Sequence, residues 1–258
     1  MKKLVQLTLN QIKQYLQDKK DYLYCLHYDI KTGKVNKTKT TFVNAHCIYC
    51  LKELGKEEEA REVLEAILKS KLFDRKKNLF RFSIKEDKII NADKNGCSNL
   101  LMIRALAISG KKKEAKKLYD SVMSHLWDPK KKLFVRSTKD NKLLVAQTNL
   151  WGVEALKSLG KEKEAKELLE RIIDYFFDPH FKLFVSKSGT KKGKYKERYI
   201  FSDDNLLFCF VAYPMFADLC KQICSKILKS PLFDKEKYLF NRSLRLNDNY
   251  LNIDKSTY

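Results

Sequence analysis

Ser202-Asp203-Asp204-Asn205 sets two carboxylates side by side at the mouth of an apolar run. Hydrolysis of a glycosidic bond needs such a pair, one acid to give a proton and one carboxylate to activate water or attack the sugar. Two acids in that place also serve a helix start, as an N-cap and a first-turn acid that answer unpaired N–H groups. The sequence leaves both readings open. In a lysine-rich setting both acids are expected to stay ionised, which suits a base or nucleophile better than an acid. Asp93 precedes another stretch of this kind and Asp254 holds the matching place in the last repeat, each a candidate for the missing acid or a turn residue. His46 sits inside an apolar run, as a proton shuttle or as a satisfied core histidine. The candidate catalytic set is therefore Asp203, Asp204, Asp93 and His46.

Binding candidates surround these residues. Asn44, Asn99, Asn149 and Asn205 recur at spacings of 55, 50 and 56. They read either as buried amides tying a helix to a neighbouring hairpin or as a ring of donors around a pit. Gln147 and Trp151 flank one such asparagine, and Trp151 is a core residue or a platform on which a sugar stacks. Tyr195, Arg198 and Tyr199 lie among Lys187, Lys191, Lys192, Lys194 and Lys196. Aromatics interleaved with cations suit sugar rings and bases alike; the alternative is a solvated loop. Seven cysteines show no framework spacing and only four histidines exist. The expectation is buried reduced thiols, with no metal and no cofactor. No phosphate-cradling glycine loop, no Ser/His/Asp series and no nucleotide fingerprint is present.

The elements that must position these side chains form a repeat. Leu72-Phe73-Asp74 is followed by Leu79-Phe80, and the pattern returns at Leu126-Trp127-Asp128, Phe176-Phe177-Asp178 and Leu232-Phe233-Asp234, with a degenerate copy at Leu16-Gln17-Asp18. The aspartate spacings are 56, 54, 50 and 56. Each unit reads as an amphipathic helix (3–17, 57–70, 112–126, 162–176, 215–230), then a short β-hairpin (79–91, 133–146, 183–201, 239–253), then a helix apolar on nearly all sides (43–54, 98–109, 148–159, 204–213). Gly55, Gly110 and Gly160 follow three of the apolar helices as C-cap signals. The two helix types imply an outer and an inner layer in one repeat domain spanning 1–258. Five outer helices against four inner ones imply a ring that is open, closed by the chain ends, or completed by another subunit.

Gly160-Lys161-Glu162-Lys163-Glu164-Ala165-Lys166-Glu167-Leu168, followed by Phe177-Asp178-Pro179 and Leu183-Phe184, resembles the α/α toroids of the six-hairpin glycosidase type. Sugar epimerases of the acylglucosamine 2-epimerase type share the phrasing. The resemblance spans almost the whole chain and implies an all-α fold, an incomplete α/α toroid of helical hairpins with short β-hairpins on one face. It implies a glycoside hydrolase or sugar epimerase acting in a central pit. Tetratricopeptide repeats share Gly-Lys-x-x-Glu-Ala, but their period is about 34 residues without a β excursion.

The formal net charge is +21. The segments 19–41, 75–96, 129–148, 179–202 and 235–258, which follow the turn aspartates, hold 31 Lys or Arg against 10 Asp or Glu, a difference equal to the whole excess. The first four segments each lead into an apolar helix, whose start offers N–H groups and partial positive charge. An anion is the natural guest, either a sugar-like anionic ligand in the pit or a nucleic acid along the hairpins. The second reading is thus a non-catalytic scaffold for an anionic polymer or an acidic protein. The missing inner helix raises a homo-oligomer as a third. No apolar run of membrane-spanning length and no apolar signal core occurs, so a cytoplasmic location without a membrane span is expected.

Overall fold

The computed structural model describes residues 2–29, 31–191, 194–241, 243–247 and 250–253. Side chains at 2–7, 9, 187–191, 194–198, 245–247 and 250–253 lie outside the description, as does Asp254 entirely. The chain divides into two compact units, Met1–Leu126 with Ser137–Lys139, and Trp127–Arg136 with Asp140–Tyr258.

In the first unit, α1 (Lys2–Leu16) leads to β1 (Cys25–Asp29), β2 (Lys34–Thr40), α2 (Thr41–Glu53) and α3 (Glu57–Lys69). There follow β3 (Phe73–Asp74), β4 (Leu79–Phe80), β5 (Ser83–Lys85), β6 (Lys88–Asn91), α4 (Gly96–Ile108) and α5 (Lys112–Leu126). In the second unit, β7 (Trp127–Asp128) and β8 (Leu133–Phe134) precede α6 (Ala146–Ser158) and α7 (Glu162–Phe176). Then come β9 (Phe177–Asp178), β10 (Leu183–Phe184), β11 (Ser186–Lys191), β12 (Lys194–Phe201), α8 (Ser202–Ala212) and α9 (Ala217–Lys229). The unit ends with β13 (Phe233–Asp234), β14 (Leu239–Phe240), β15 (Ser243–Asn247) and β16 (Tyr250–Ile253).

The two helix types read from the sequence are both present. In α3 the buried residues are Ala60, Val63, Leu64 and Ile67, one stripe at helical spacing, with Glu57, Glu58 and Glu59 in the first turn. The same stripe recurs in α7 at Ala165, Leu168, Leu169, Ile172 and Phe176. By contrast α4 buries eleven of its thirteen residues. In the first unit α4 packs on α2 and α5, and α2 on α3; in the second, α6 packs on α7 and α8, and α8 on α9. Full burial of a Leu, Ile or Met contributes about 1.5–3 kcal/mol, so Leu100, Leu101, Met102, Ile103 and Leu106 make α4 a core element of its unit.

The recurrent motif is a small turn with its own hydrogen bonds. Asp128 Oδ1 accepts from the N–H groups of Lys130 and Lys131, and Asp178 and Asp234 accept from the equivalent pairs. Four residues past each motif aspartate the chain turns left-handed, at Tyr22, Asn78, Lys132, Lys182 and Tyr238, with φ between 48° and 60°. The bend brings the two halves of the motif together as a two-residue antiparallel pair, such as Phe73 opposite Phe80 and Trp127 opposite Phe134. Longer hairpins then add to sheets. The strand that feeds α2 pairs with the next repeat's β5, giving the order β1-β2-β5-β6, and the strand that feeds α8 pairs with β15, giving β11-β12-β15-β16.

Two expectations change. The span 133–146 is no β-hairpin beyond the β7–β8 pair. Its remainder is held by Leu143 N–H on the Asp140 carbonyl, Arg136 N–H on the Leu143 carbonyl and a single bridge between Asn95 and Ser137; that short polar loop has arms too short for a ladder. The apolar helices also start two residues earlier than the pattern implies, so that Asn44, Asn99, Asn149 and Asn205 are each the fourth residue. The amides explain the difference. Asn99 Oδ1 accepts from Phe80 N–H at 2.7 Å, while Nδ2 donates to the Phe80 carbonyl at 3.0 Å and to the Asn95 carbonyl at 2.9 Å. Asn44 does the same with Tyr24 and Thr40, Asn149 with Phe134 and Val145, and Asn205 with Phe184 and Phe201. Each amide holds the carbonyl just ahead of its helix and so carries the helix start two residues upstream of the apolar pattern.

Glycine is required at one place inside a helix. A Cβ on Gly152 would stand 2.6 Å from the Phe134 ring, so α6 approaches that ring only because the side chain is absent. Gly152→Ala is expected to destabilise the protein by about 1–3 kcal/mol. Asn99→Ala is expected to lose about 3 kcal/mol, since it orphans the buried N–H and C=O of Phe80. Urea unfolding midpoints check both; an Asn99→Ala midpoint equal to the parent's would remove the amide from its structural role.

Candidate functional site

The strand β12 runs without a loop into α8, and Phe201 is the N-cap residue. Asp203 and Asp204 are therefore the second and third residues of the helix, in its first turn. The matching pairs in the other apolar helices are Phe42-Val43, Cys97-Ser98 and Gln147-Thr148, so α8 alone of the four has acids there. Their environments differ sharply. Asp203 is exposed, and its Oδ1 accepts from Asp204 N–H at 3.1 Å while Oδ2 accepts from Gln147 Nε2 at 3.4 Å. Asp204 is 5% exposed and accepts from Ser186 Oγ at 2.5 Å. Gln147 occupies the same position in α6 that Asp203 occupies in α8, so the site joins the starts of two packed helices.

Burial, reinforced by the negative charge of Asp203, raises the Asp204 carboxyl to about 7; hydrogen bonds from Ser186 and the Gln147 backbone N–H oppose the rise. The expectation that both acids stay ionised is thereby corrected for Asp204. Loss of hydration acts on the buried carboxyl directly, whereas surrounding lysines act through screening water. A carboxyl that gives and takes a proton near neutrality, with a second carboxylate next to it, is equipment for acid–base catalysis.

The other candidates have surroundings of their own. Asp93 belongs to the first unit, where its Oδ1 accepts from Lys94 N–H, Thr138 Oγ1 and Lys139 N–H. Burial would raise its carboxyl, but bonds from Ser137, Thr138 and these N–H groups hold it below the usual range. It pins one loop to another as an anion, which corrects its candidacy as the missing acid. His46 is also in the first unit; burial, then the charge of Arg104, lowers its imidazole to about 4, so it is a poor proton shuttle at neutral pH. The four asparagines are fully buried with their amides on the main chain, which places them inside the scaffold. Trp151 is buried in α6, three residues from Thr148. Tyr199 stacks on Phe201 and pairs with Ser186 along the β11–β12 ladder. Tyr195 and Arg198 lie on β12 opposite Thr190 and Lys187, their side chains outside the description.

Ser186 was not among the expected site residues. A signal was available: a serine follows each of the last four Leu-Phe pairs by two or three residues, at Ser83, Ser137, Ser186 and Ser243, and all four are buried. All seven cysteines are free thiols, and Cys25, Cys97 and Cys220 are buried, as expected of the set; Cys50 is exposed, a departure from it. Among the described residues no group of three or more His, Cys, Asp or Glu gathers as a metal ion would require. No helix among them is long and apolar enough to cross a membrane.

The fold belongs to the α/α-toroid class of helical hairpins, here carrying short β-hairpins. No known family's sequence profile matches the chain, and no curated protein does so by sequence. Solved structures do match. A sugar epimerase from a ruminal bacterium is similar with a TM-score of 0.68 and 14% identity, over 97% of this chain and 77% of its own. Cellobiose 2-epimerase from Bacillus thermoamylovorans is similar at 0.71 and 14%, over 98% and 78%. An inactive variant of an α-1,6-mannanase from Salegentibacter, in complex with α-1,6-mannotetrose, is similar at 0.66 and 13%, over 91% and 72%.

Asp204 makes stability depend on pH in a definite direction. Its folded value, about 7, lies above the ordinary 3.8, so the folded chain keeps a proton that the unfolded chain releases. Its contribution is complete below the ordinary value and is lost as pH rises towards 7. Between about pH 5 and about pH 8 the urea midpoint of the parent is expected to fall further than that of Asp204→Asn; parallel curves would show that the carboxyl titrates elsewhere.

Proposed function

We propose that this protein acts on a saccharide, with Asp203 and Asp204 as its reacting carboxylates. The observation that carries this reading is the split pair itself, one acid buried and protonated up to about pH 7, the other exposed beside it. Asp204 supplies a proton to a departing sugar oxygen, and Asp203 is the carboxylate that directs water or meets the sugar. Gln147 holds Asp203 in place through its amide, and Ser186 holds Asp204.

The similar structures support the saccharide class. Two are sugar epimerases, and the mannanase variant, bound to a mannose oligosaccharide, is inactive with two consecutive aspartates replaced. Hydrolysis is the preferred form over epimerisation because, among the described residues, the groups bonded to the pair, an alcohol and amides, include no further base. The second reading, a scaffold for an anionic polymer such as nucleic acid or acidic polysaccharide, is favoured by the 31 Lys and Arg in the segments after the turn aspartates. The free thiols support a reducing, cytoplasmic setting.

Incubation with a panel of oligosaccharides that includes α-1,6-mannotetrose separates these readings. Release of reducing ends by the parent is expected, falling by about 10²–10⁴-fold in Asp203→Asn and in Asp204→Asn; altered configuration without chain cleavage would indicate epimerisation. Turnover unchanged in both variants would remove the pair from the reaction. Lack of turnover on every saccharide, together with a steep loss of polyanion binding as salt rises, would favour the scaffold.

A further inference from the structure

Three of the seven thiols gather where α8 packs on α9, and neither the amide clamp nor the carboxylate pair uses them. The Cys224 thiol donates to the Cys209 sulfur at 3.6 Å. Cys209 donates to the Cys220 carbonyl at 3.6 Å, and Cys220 donates back to the Cys209 carbonyl at 3.9 Å. Cys220 is buried, whereas Cys209 and Cys224 are each half-buried. Phe208 packs inward on Phe184 with ring centroids 4.3 Å apart, while the next residue, Cys209, faces α9.

Packing gives these thiols no purpose. Four residues past the clamp asparagine the other helices place Ile48, Ile103 and Val153, all fully buried. Counted back from the motif aspartates Asp74 and Asp234, Cys224 stands where α3 has Leu64, also fully buried. The last repeat thus has a thiol at two places that the first repeat fills with isoleucine and leucine, one on each helix of the pair. Each exchange gives up buried apolar volume. Together they provide two sulfurs in contact, which need approach each other by only about 1.5 Å to reach the length of a disulfide bond.

We propose that Cys209 and Cys224 are a reversible thiol–disulfide site, oxidised by an anionic low-molecular-weight disulfide of the glutathione type, and that its closure staples α8 to α9. Helix α9 favours an anionic reagent, with Lys221, Lys226 and Lys229 against the single acid Asp218. Burial, then the bond with the Cys224 thiol, holds Cys209 well above the usual thiol range, so Cys224 opens the exchange. Its sulfur attacks the small disulfide, forms a mixed disulfide and expels one small thiol, which takes the Cys224 proton. The Cys209 sulfur then attacks the Cys224 sulfur and expels the second small thiol, which takes the Cys209 proton. Two protein thiols are oxidised and one small disulfide is reduced. In a reducing compartment the pair rests as thiols. The staple restrains the last repeat, whose Leu239 and Phe240 are exposed, and the helix that begins with Ser202-Asp203-Asp204. The site does not rest on the saccharide reading, and its test needs no turnover.

The full chain is equilibrated with glutathione buffers of graded thiol-to-disulfide ratio, quenched in acid and mapped by peptide mass. A saturable loss of two hydrogens is expected on the peptides that hold Cys209 and Cys224, reversed by dithiothreitol, with Cys25, Cys97 and Cys220 remaining thiols. Closing a loop of about 15 residues is expected to shift the folding equilibrium about 10²-fold towards the folded chain, read as a higher urea midpoint in the oxidised parent than in the reduced one. Cys209→Val, which places the residue of α6 in α8, is expected to stop at a mixed disulfide on Cys224 and to show no such rise. Persistence of both thiols in wholly oxidised buffer, a link that runs through Cys220, a stable mixed disulfide on Cys224 of the parent, an oxidised midpoint no higher than the reduced one, or a rise that survives Cys209→Val would each overturn the assignment.

Discussion

A single side-chain amide in each repeat decides where a buried helix begins and what stands beside it. Asn44, Asn99, Asn149 and Asn205 each accept from the N–H of a motif aromatic, donate to the carbonyl of that same residue, and donate again to the carbonyl just ahead of the helix. Two of the bonds from each amide satisfy buried main-chain groups of the motif aromatic, and the third adds to the helix's own hold on the carbonyl ahead of it, as Asn99 N–H and Nδ2 both donate to the Asn95 carbonyl. The helix start, the motif turn and the entering strand are thereby fixed to one another. Because Asp203 and Asp204 directly precede Asn205, the geometry of the carboxylate pair is set by the clamp of its own helix.

The fifth motif shows what happens without that arrangement. Leu239 and Phe240 form the same two-residue pair as the other copies, but no asparagine-bearing helix follows among the described residues. Leu239 is 61% exposed and Phe240 46%, whereas Leu79, Phe80, Leu183 and Phe184 are buried. The local turn therefore forms by itself, through its aspartate and its left-handed residue, and burial of the aromatic depends on the helix that would be clamped to it. Elsewhere the space over the clamped ring is filled by adjustment of one helix residue, Gly152 or Phe208.

Much of this was legible because it is local. The period of the aspartates and asparagines, the two helix types and the glycine C-caps follow from spacing and side-chain polarity within one repeat. The buried amide was among the readings open for the asparagines, although the two residues by which each helix starts earlier were not visible. What escaped depends on residues far apart in sequence. The state of Asp204 is set by burial and then by the charge of Asp203, against bonds from Ser186 on a preceding strand and Gln147 on another helix, so a charge count over its neighbours in the chain pointed the wrong way. Asp93 looked like a spare acid until Thr138 and Lys139, forty-odd residues on, proved to hold it as an anion. The loop at 137–145 misled because alternation of polar and apolar residues is cheap to meet in a stretch too short for a ladder.

The left-handed bend four residues past each motif aspartate carries a further implication. None of its five occupants is glycine, although a side chain in that region costs about 1–2 kcal/mol and glycine would relieve it at the expense of a looser unfolded chain. With those two effects nearly cancelling, the backbone leaves the choice of side chain open. Tyrosine, asparagine and lysine all occur there, and Asn78 uses the freedom to donate to Ser121 Oγ. The bend is thus a fixed pedestal with an interchangeable figure on top, a point where copies of the unit can diverge in what they show to solvent without any change in how they are built.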